Sequence, residues 1–128
     1  MGRKAGARTF PFVPKSNASL RPGDFWAVPL RDGSFACGRV LHVEARRRVL
    51  FIAGLIDWRG EQLPNGEAIA GARCLVSGLA HLKAITESGG VVLGHRPLAL
   101  DSIEFDSSRH IVTWGYGVIR VLAEKHFR

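Results

Sequence analysis

The chain has 128 residues, of which 46% are hydrophobic and 23% are charged. This length fits one ordinary domain, and the composition is that of a globular protein, which excludes a compositionally disordered chain. No apolar run approaches the ~18 residues that a transmembrane helix requires, so the sequence predicts no membrane span and no membrane partner.

The net charge of +7 is concentrated in the first part of the chain. Residues 1–22 carry five basic side chains and no acidic one, whereas the remaining 106 residues carry 13 basic and 11 acidic side chains. The body is therefore close to neutral, at +2. A nucleic-acid-binding face requires a basic patch on the folded domain itself, so this distribution disfavours that function.

Residues 1–22 lack the continuous apolar segment of a secretory signal. We predict a basic, proline-containing, partly disordered leader over residues 1–22 and a single β-rich domain over residues 23–128. The alternative is an extended strap in which Phe10, Phe12 and Val13 pack on the domain. The two cysteines, Cys37 and Cys74, do not suggest a disulfide framework, which indicates a reducing, cytoplasmic location.

The segment from Gly23 to Val43 predicts a β-hairpin. Two runs rich in β-branched and aromatic residues, Phe25–Leu30 and Ser34–Val43, flank Arg31-Asp32-Gly33, and glycine accepts the positive φ of such a turn. Period-two alternation places Phe35, Cys37, Arg39, Leu41 and Val43 on one face of the second strand, and Ala36, Gly38, Val40 and His42 on the other.

The sequence of this hairpin, GDFWAVPLRDGSFACGRVL, resembles the opening hairpin of the immunity protein 26 family. The matching residues are Asp24, Phe25, Ala27, Pro29, Leu30, Asp32, Gly33, Phe35, Gly38, Arg39 and Val40. A looser resemblance covers Gly89 to Leu98 (GGVVLGHRPL). The resemblance implies a cytoplasmic antidote that binds and neutralises a secreted bacterial toxin, and it assigns a motif role to Asp24, Pro29, Asp32, Gly33, Gly38 and Arg39. It carries no toxin-contact residues with it.

After a basic turn, Val49–Ile56 is apolar on both faces and predicts a central strand that completes a three-stranded antiparallel meander. Asp57–Gly60 is expected to leave this strand. Leucine spacings near three and four predict a helix within Ala68–Ser88, about Gly78 to Glu87, with Ser77 as its N-cap. Further strands are expected at Gly90–Gly94, Ser102–Asp106, Arg109–Trp114 and Val118–Leu122. The predicted class is α+β, mostly β: a bent antiparallel sheet or partly open small barrel with one covering helix.

No pattern in the chain predicts a catalytic residue, a metal site or a cofactor. The five histidines (His42, His81, His95, His110 and His126) lack metal-ligand spacing, and neither cysteine belongs to a C-x₂-C pair. Cys37 and His42 fall on opposite strand faces, so Cys37 has no base. The carboxylates of Asp101, Glu104 and Asp106 are expected to face water, and Gly89, Gly90 and Gly94 precede no helix that could bind phosphate.

Trp58 is the strongest candidate for a binding residue. A large aromatic flanked by Asp57 and Arg59 is typical of an interface anchor, and Glu61 and Glu67 follow it. The alternative is that Trp58 folds back to cap the core. Arg39 lies on an apolar face and must pair with an acid, for which Asp24 and Asp57 are the candidates.

The sequence therefore favours a non-catalytic binding protein, and the resemblance specifies its partner as the C-terminal domain of a cognate toxin. A basic toxin would require a local acidic interface, for which the candidates are Glu61, Glu67, Asp101, Glu104 and Asp106. The alternative function is nucleic-acid binding through the leader and Arg46, Arg47 and Arg48, with Trp26 or Trp58 as a stacking platform. The oligomeric state is left open.

Overall fold

A computed structural model of the chain describes residues 8–44, 46–108 and 111–128. Five strands form one open sheet in the order β4-β3-β2-β1-β5, in which every pair of neighbours is antiparallel. The strands are β1 (Asp24–Pro29), β2 (Phe35–Val43), β3 (Leu50–Gly60), β4 (Cys74–His81) and β5 (Gly94–His95). The helices are α1 (Lys83–Thr86) and α2 (Val118–His126), with short 3-10 turns at Asn17–Ser19 and Leu98–Asp101. The predicted class, α+β and mostly β, is confirmed. The sequence predicts either a bent antiparallel sheet or a partly open small barrel, and the structure has an antiparallel sheet that does not close.

The opening hairpin and the meander are confirmed. Gly33 has a φ of +88°, and the Asp32 carboxylate closes the turn by accepting the Ser34 backbone N–H at 2.9 Å. Strand β3 pairs with β2 as far as Gly60. The prediction that Asp57–Gly60 leaves the strand is therefore wrong, because the ladder continues beyond the apolar run.

An irregularity in β2 changes the predicted faces. The register of β2 on β3 shifts between Val40 and His42. Consequently Val43 packs with Val40 in one hydrophobic cluster. The His42 ring lies on the other side of the sheet and stacks on the ring of Phe105, with 4.8 Å between the ring centroids. Both residues lie on the face opposite to the predicted one, because a β-bulge breaks the period-two alternation.

Each face of the sheet carries its own hydrophobic cluster. The first core contains Trp26, Phe51 and Leu55 of the sheet and is covered by Trp114 and by Ile119 of α2. The second core contains Phe25, Cys37, Leu41, Ile52 and Ile56 of the sheet, together with Ile69 and Ile103. A sheet buried on both faces explains why β3 has no polar side chain between Phe51 and Ile56.

The predicted helix at Gly78–Glu87 is largely wrong. Residues up to His81 form β4, Ser77 lies inside that strand and caps nothing, and only Lys83–Thr86 is helical. The reason is tertiary. The ring of Trp114 lies so close to Gly78 that a Cβ there would come within 2.4 Å of it, and Trp114 and Val112 bond to the backbone of Leu79.

The last four predicted strands are also corrected. Of Gly90–Gly94 only Gly94 belongs to a strand, β5, and Ser102–Asp106 follows a 3-10 turn without joining the sheet. Within Arg109–Trp114, residues 109 and 110 lie outside the described residues, and Thr113 makes a single bridge to Leu79. Val118–Leu122 is helical, because its buried positions, Ile119 and Ala123, recur at four residues rather than two.

Residues 8–22 pack on the domain, in the manner of the strap alternative. Phe12 and Val92 exchange backbone hydrogen bonds of 3.1 and 2.8 Å, and Leu20 lies in the first core. The Asn17 side-chain amide donates to the carbonyls of Glu44, Arg47 and Leu50. Residues 1–7 lie outside the described residues. Within the described part of the chain, no helix has the length and apolar character needed to cross a bilayer.

Candidate partner-binding surface

Several predicted binding residues lie at one end of the sheet, which we call the Trp58 end. It consists of the β1–β2 turn at residues 31–33, the last residues of β3 and the C-terminal turn of α2. Two ion pairs join these elements: Arg59 to Asp32, at 2.6 Å, and His126 Nε2 to Asp57, at 3.1 Å. Three segments that are distant in sequence are thereby held at one place.

Trp58 folds back onto the core, as one of the two predicted alternatives requires, but it is not fully buried. Its side chain is half-buried and packs against the second core, and its ring lies over Gly60, where a Cβ would be 2.5 Å away. Asp57 and Arg59 point to the opposite face, because neighbouring strand residues alternate. Only the exposed edge of the Trp58 ring is therefore available to a partner.

The turn after β3 carries the other two predicted residues. Glu61 and Glu67 are both exposed, and neither carboxylate forms an ion pair with a described residue. Leu63, between them in sequence, is 52% exposed. An exposed apolar side chain between carboxylates, next to a half-buried tryptophan, is a composition found at protein interfaces.

The charges of the Trp58 end are held in fixed places. Hydrogen bonds from the Ser34 hydroxyl and from Arg59 lower the pKa of Asp32, so its carboxylate is ionised at neutral pH. Asp57 also lies 3.8 Å from Arg73. The β1–β2 turn is thus fixed against β3 by a charged contact whose members keep their charge.

Arg39 forms a buried ion pair, and neither predicted partner is correct. Its guanidinium donates to Asp101 at 2.9 Å and to the carbonyl of Arg96, whereas Asp24 and Asp57 pair elsewhere. Asp101 also accepts from Arg96, at 2.9 Å, and from the Gly71 N–H, at 2.7 Å. Burial alone would raise the pKa of Asp101, but these hydrogen bonds outweigh burial and lower it. Asp101 does not face water and offers nothing to a partner.

The motif residues of the opening hairpin hold the fold together. Asp24 is fully buried and pairs with Arg8 at 2.5 Å and with His95 at 2.9 Å. Gly38 lies beneath the ring of Trp26, where a Cβ would be only 2.4 Å from that ring. Together with the turn at Asp32 and Gly33, these contacts explain the motif without any partner contact.

A groove of about 410 Å³ runs along β4. Cys74, Ser77 and Val76 lie on one side of it, and Glu104 and Phe105 lie on the other. Burial raises the pKa of the Cys74 thiol, and burial likewise raises that of Cys37. No histidine is among the described residues that line the groove, and the raised pKa of Cys74 keeps its thiol protonated at neutral pH.

The histidines are separated from one another. Within the described residues no three metal-ligating side chains form a group that could hold an ion. His42 stacks on Phe105, His81 contacts Tyr116, His95 and His126 each face an aspartate, and His110 lies outside the described residues.

The basic turn lies at the opposite end of β2 from the Trp58 end. Arg46, Arg47 and Arg48 are all exposed. Trp26 is 0% exposed in the first core, so it cannot stack on a base, and Trp58 lies at the other end of the sheet. The arginines and tryptophans of the alternative reading are thus not brought together.

The comparison with protein families identifies the family of this chain. The model of immunity protein 26 matches residues 21–117, about three quarters of the chain. The chain belongs to the immunity protein 26 family. The match includes the whole sheet and every motif residue of the opening hairpin, and it ends one residue before α2 begins. No curated protein and no solved structure gives a significant match.

Sequence reasoning missed one charged surface in this member of the immunity protein 26 family. Arg120 and Glu124 are four residues apart in α2, with Val121 and Lys125 beside them, and Arg128 follows two residues after the helix ends. This spacing is the helical signal that was available, but the β-branched residues at positions 118, 119 and 121 favoured a strand instead.

Proposed function

We propose that this protein is a cytoplasmic immunity protein that binds a cognate bacterial toxin and neutralises it by covering its surface, without catalysis. The family match over residues 21–117 carries this proposal. The proposed partner is the C-terminal toxin domain of a secreted polymorphic toxin.

The proposed contact surface is the Trp58 end, with Asp57, Trp58, Arg59, Glu61 and Glu67 as its predicted members. Trp58 offers a rigid aromatic edge that the second core already orders, so its immobilisation on binding costs little entropy. Leu63 adds exposed apolar area next to it, and the carboxylates of Glu61 and Glu67 form a polar rim.

The absence of catalysis is part of the proposal. Its support is the state of the candidate nucleophiles: the pKa values of both thiols are raised, which keeps them protonated at neutral pH. A thiol that is not ionised and has no neighbouring base is a poor nucleophile.

Nucleic-acid binding is the competing function, and the exposed run Arg46–Arg48 is the observation in its favour. It predicts affinity for polyanions that decreases steeply with salt and is lost when residues 1–22 are removed. An immunity protein keeps its toxin affinity when Arg46, Arg47 and Arg48 are neutralised.

The test begins with the reading frame next to this gene: where that frame encodes a large secreted protein, its C-terminal domain is used in a capture experiment. Replacing the anchor, Trp58→Ala, is expected to weaken capture by ~2 kcal/mol or more, which is about 30-fold in Kd. Arg47→Ala, at the other end of the sheet, serves as the matched control and leaves capture unchanged.

Because Trp58 also contacts the second core, a second variant separates binding from folding. Glu61→Lys together with Glu67→Lys changes only exposed side chains and is expected to weaken capture while the thermal unfolding midpoint stays the same. Undiminished capture by both variants would remove the Trp58 end from the proposal, and no capture by the unmodified chain would remove the function.

A further inference from the structure

Helix α2 presents a basic outer stripe. Its inner face, Ile119 and Ala123, is buried in the first core, and this orientation leaves Arg120, Val121 and Lys125 exposed. Val121 and Lys125 are neighbours on the helical surface because they are four residues apart, and Arg120 is exposed beside them. The stripe therefore arises from the same packing that fixes the helix.

The stripe and the β1–β2 turn form a cleft of about 380 Å³, which we call the α2 cleft. It is lined by Arg31, Arg120, Val121, Glu124, Lys125 and Arg128. Four cationic side chains face one carboxylate there. Glu124 and Arg120 form an ion pair in the cleft, with 3.9 Å between the guanidinium nitrogen and the carboxylate oxygen. This single carboxylate side chain compensates only part of the charge of the four cationic side chains that line the cleft.

Glu124 fixes the cleft in place. Its carboxylate accepts the backbone N–H of Arg31 at 2.7 Å, which joins the middle of α2 to the hairpin turn. The same turn is tied to Arg59 through Asp32, and His126 at the end of α2 contacts Asp57. The α2 cleft is therefore part of the Trp58 end and needs no rearrangement to form.

We infer that the α2 cleft binds an acidic polypeptide surface and that it recognises carboxylates in preference to nucleic-acid phosphates. That the partner is the toxin rests on the proposed function. The inference adds the partner's chemistry at this one place: the part of the toxin surface that meets the α2 cleft carries aspartate and glutamate side chains. It also resolves the question left by the near-neutral body, because the toxin then need not be basic.

Three observations favour a protein over a nucleic acid. Val121 is 58% exposed within the cleft, and an apolar centre surrounded by arginines is the composition of a protein interface. None of the described lining residues is aromatic, so no stacking platform is present for bases. Glu124 interrupts the cations of the cleft, so they do not form the continuous positive track along which a phosphate backbone binds.

A further observation concerns specificity. The match to the family ends at residue 117, and α2 begins at Val118. The basic stripe thus belongs to a part of this chain that the family description does not include. A surface of this kind is suited to recognising the partner of one member, because specificity is a difference between affinities for related partners.

The experiment needs no toxin, so its outcome is separate from that of the proposed function. The full chain, labelled with ¹⁵N, is titrated with poly-L-glutamate of ~15 residues and with an oligothymidylate of equal charge at low ionic strength, where Coulomb interactions are least screened. Two variants are compared with it: Arg31→Gln/Arg120→Gln/Lys125→Gln in the cleft, and Arg46→Gln/Arg47→Gln/Arg48→Gln at the opposite end. Both remove three exposed positive charges and leave residues 1–22 intact.

The expected result has three parts. Poly-L-glutamate shifts the amide resonances of Arg31 and residues 120–125, and it binds more tightly than the oligonucleotide. The cleft variant weakens its binding by about fivefold or more, as expected for three rim charges, whereas the control variant weakens it by less than about twofold. The chemical shifts of the unmodified chain locate the site even if a variant were to unfold.

Three outcomes would overturn the inference. The first is no binding of poly-L-glutamate above that of a neutral peptide. The second is equal weakening by the two variants, which would mean that net charge alone attracts the probe. The third is tighter binding of the oligonucleotide at the same amides, which would assign the cleft to nucleic acid.

Discussion

At the scale of single residues, the most consequential pair is Arg39 with Asp101. Both side chains are fully buried, and among the described residues their charges are compensated by each other, by Arg96 and by backbone groups. Burying a charge is costly unless it is paired, so removing one member leaves the other with its full desolvation penalty. The pair joins β2 to the 3-10 turn at Leu98–Asp101 across 62 residues of sequence.

The variant Asp101→Asn is therefore expected to lower the free energy of unfolding by about 3–5 kcal/mol, measured by urea denaturation. Arg59→Ala, which breaks the exposed pair with Asp32, is the matched control and should cost about 0–1 kcal/mol. If the two variants lost the same free energy of unfolding, the buried Arg39–Asp101 pair would contribute no more to stability than the exposed Arg59–Asp32 pair.

The variant Asp101→Asn is also expected to change how the stability of the protein depends on pH. Because the folded protein lowers the pKa of Asp101, this residue stabilises the fold above the unfolded carboxyl pKa of ~3.9, and the stabilisation is lost as pH falls through the lower folded value. The unmodified protein should lose stability more steeply below pH ~4 than Asp101→Asn does. Parallel pH profiles would contradict this assignment.

At the scale of elements, the sequence predicts correctly those strands whose structure is decided by nearby residues. The Asp32-Gly33 turn and the alternating runs beside it predicted β1 and β2, and the apolar run before Ile56 predicted the core of β3. The pairing of Gly54 with Ser77 in β4 could not be read in this way, because it depends on a strand more than 20 residues distant.

The errors have a common physical cause. The spacing of four residues between Leu75 and Leu79 is that of one helical face. In β4, however, Leu75 packs against the first core and Leu79 against the second, because the register of β4 on β3 is irregular near Ile56. In α2 the β-branched residues favour a strand, but burial of Ile119 and Ala123 overrides that weak preference. The sequence likewise could not predict how deeply Trp58 is buried, because its neighbours in the second core come from segments that are remote in sequence.

The segment before β1 gives the element-scale prediction. Asn17 is buried, and its amide lies 2.6–3.0 Å from three carbonyl oxygens of the β2–β3 connection. Asn17→Ala removes the side-chain donor that these three carbonyls share and is expected to cost about 1–3 kcal/mol of unfolding free energy. Ser16→Ala, next to it but at a more exposed hydrogen bond, should cost about 0.5–1 kcal/mol.

The comparison of these two variants tests whether residues 8–22 contribute to the domain. Thermal and urea unfolding are the measurements. If Asn17→Ala were no more destabilising than Ser16→Ala, the segment would contribute little, and a leader that is independent of residues 23–128 would describe the chain better.

At the scale of the whole molecule, the two ends of the sheet differ in charge and in construction. The Trp58 end combines a half-buried aromatic with the α2 cleft, and two exposed glutamates follow it in sequence, whereas the opposite end exposes the run Arg46–Arg48. The motif residues of the opening hairpin belong to the framework: Asp32 and Gly33 form the turn at the Trp58 end, and Asp24, Gly38 and Arg39 lie within β1 and β2.

The most direct test of the central claim, neutralisation by binding, is a titration of toxin activity. The C-terminal domain of the neighbouring secreted protein is held at a fixed concentration far above Kd while this chain is added. The account predicts that activity falls linearly to its baseline at a fixed molar ratio and that the mass of the toxin domain is unchanged. Complete inactivation by a small fraction of one equivalent, increasing with time, would show catalysis, and activity that persists at excess chain would show that this protein is not the antidote.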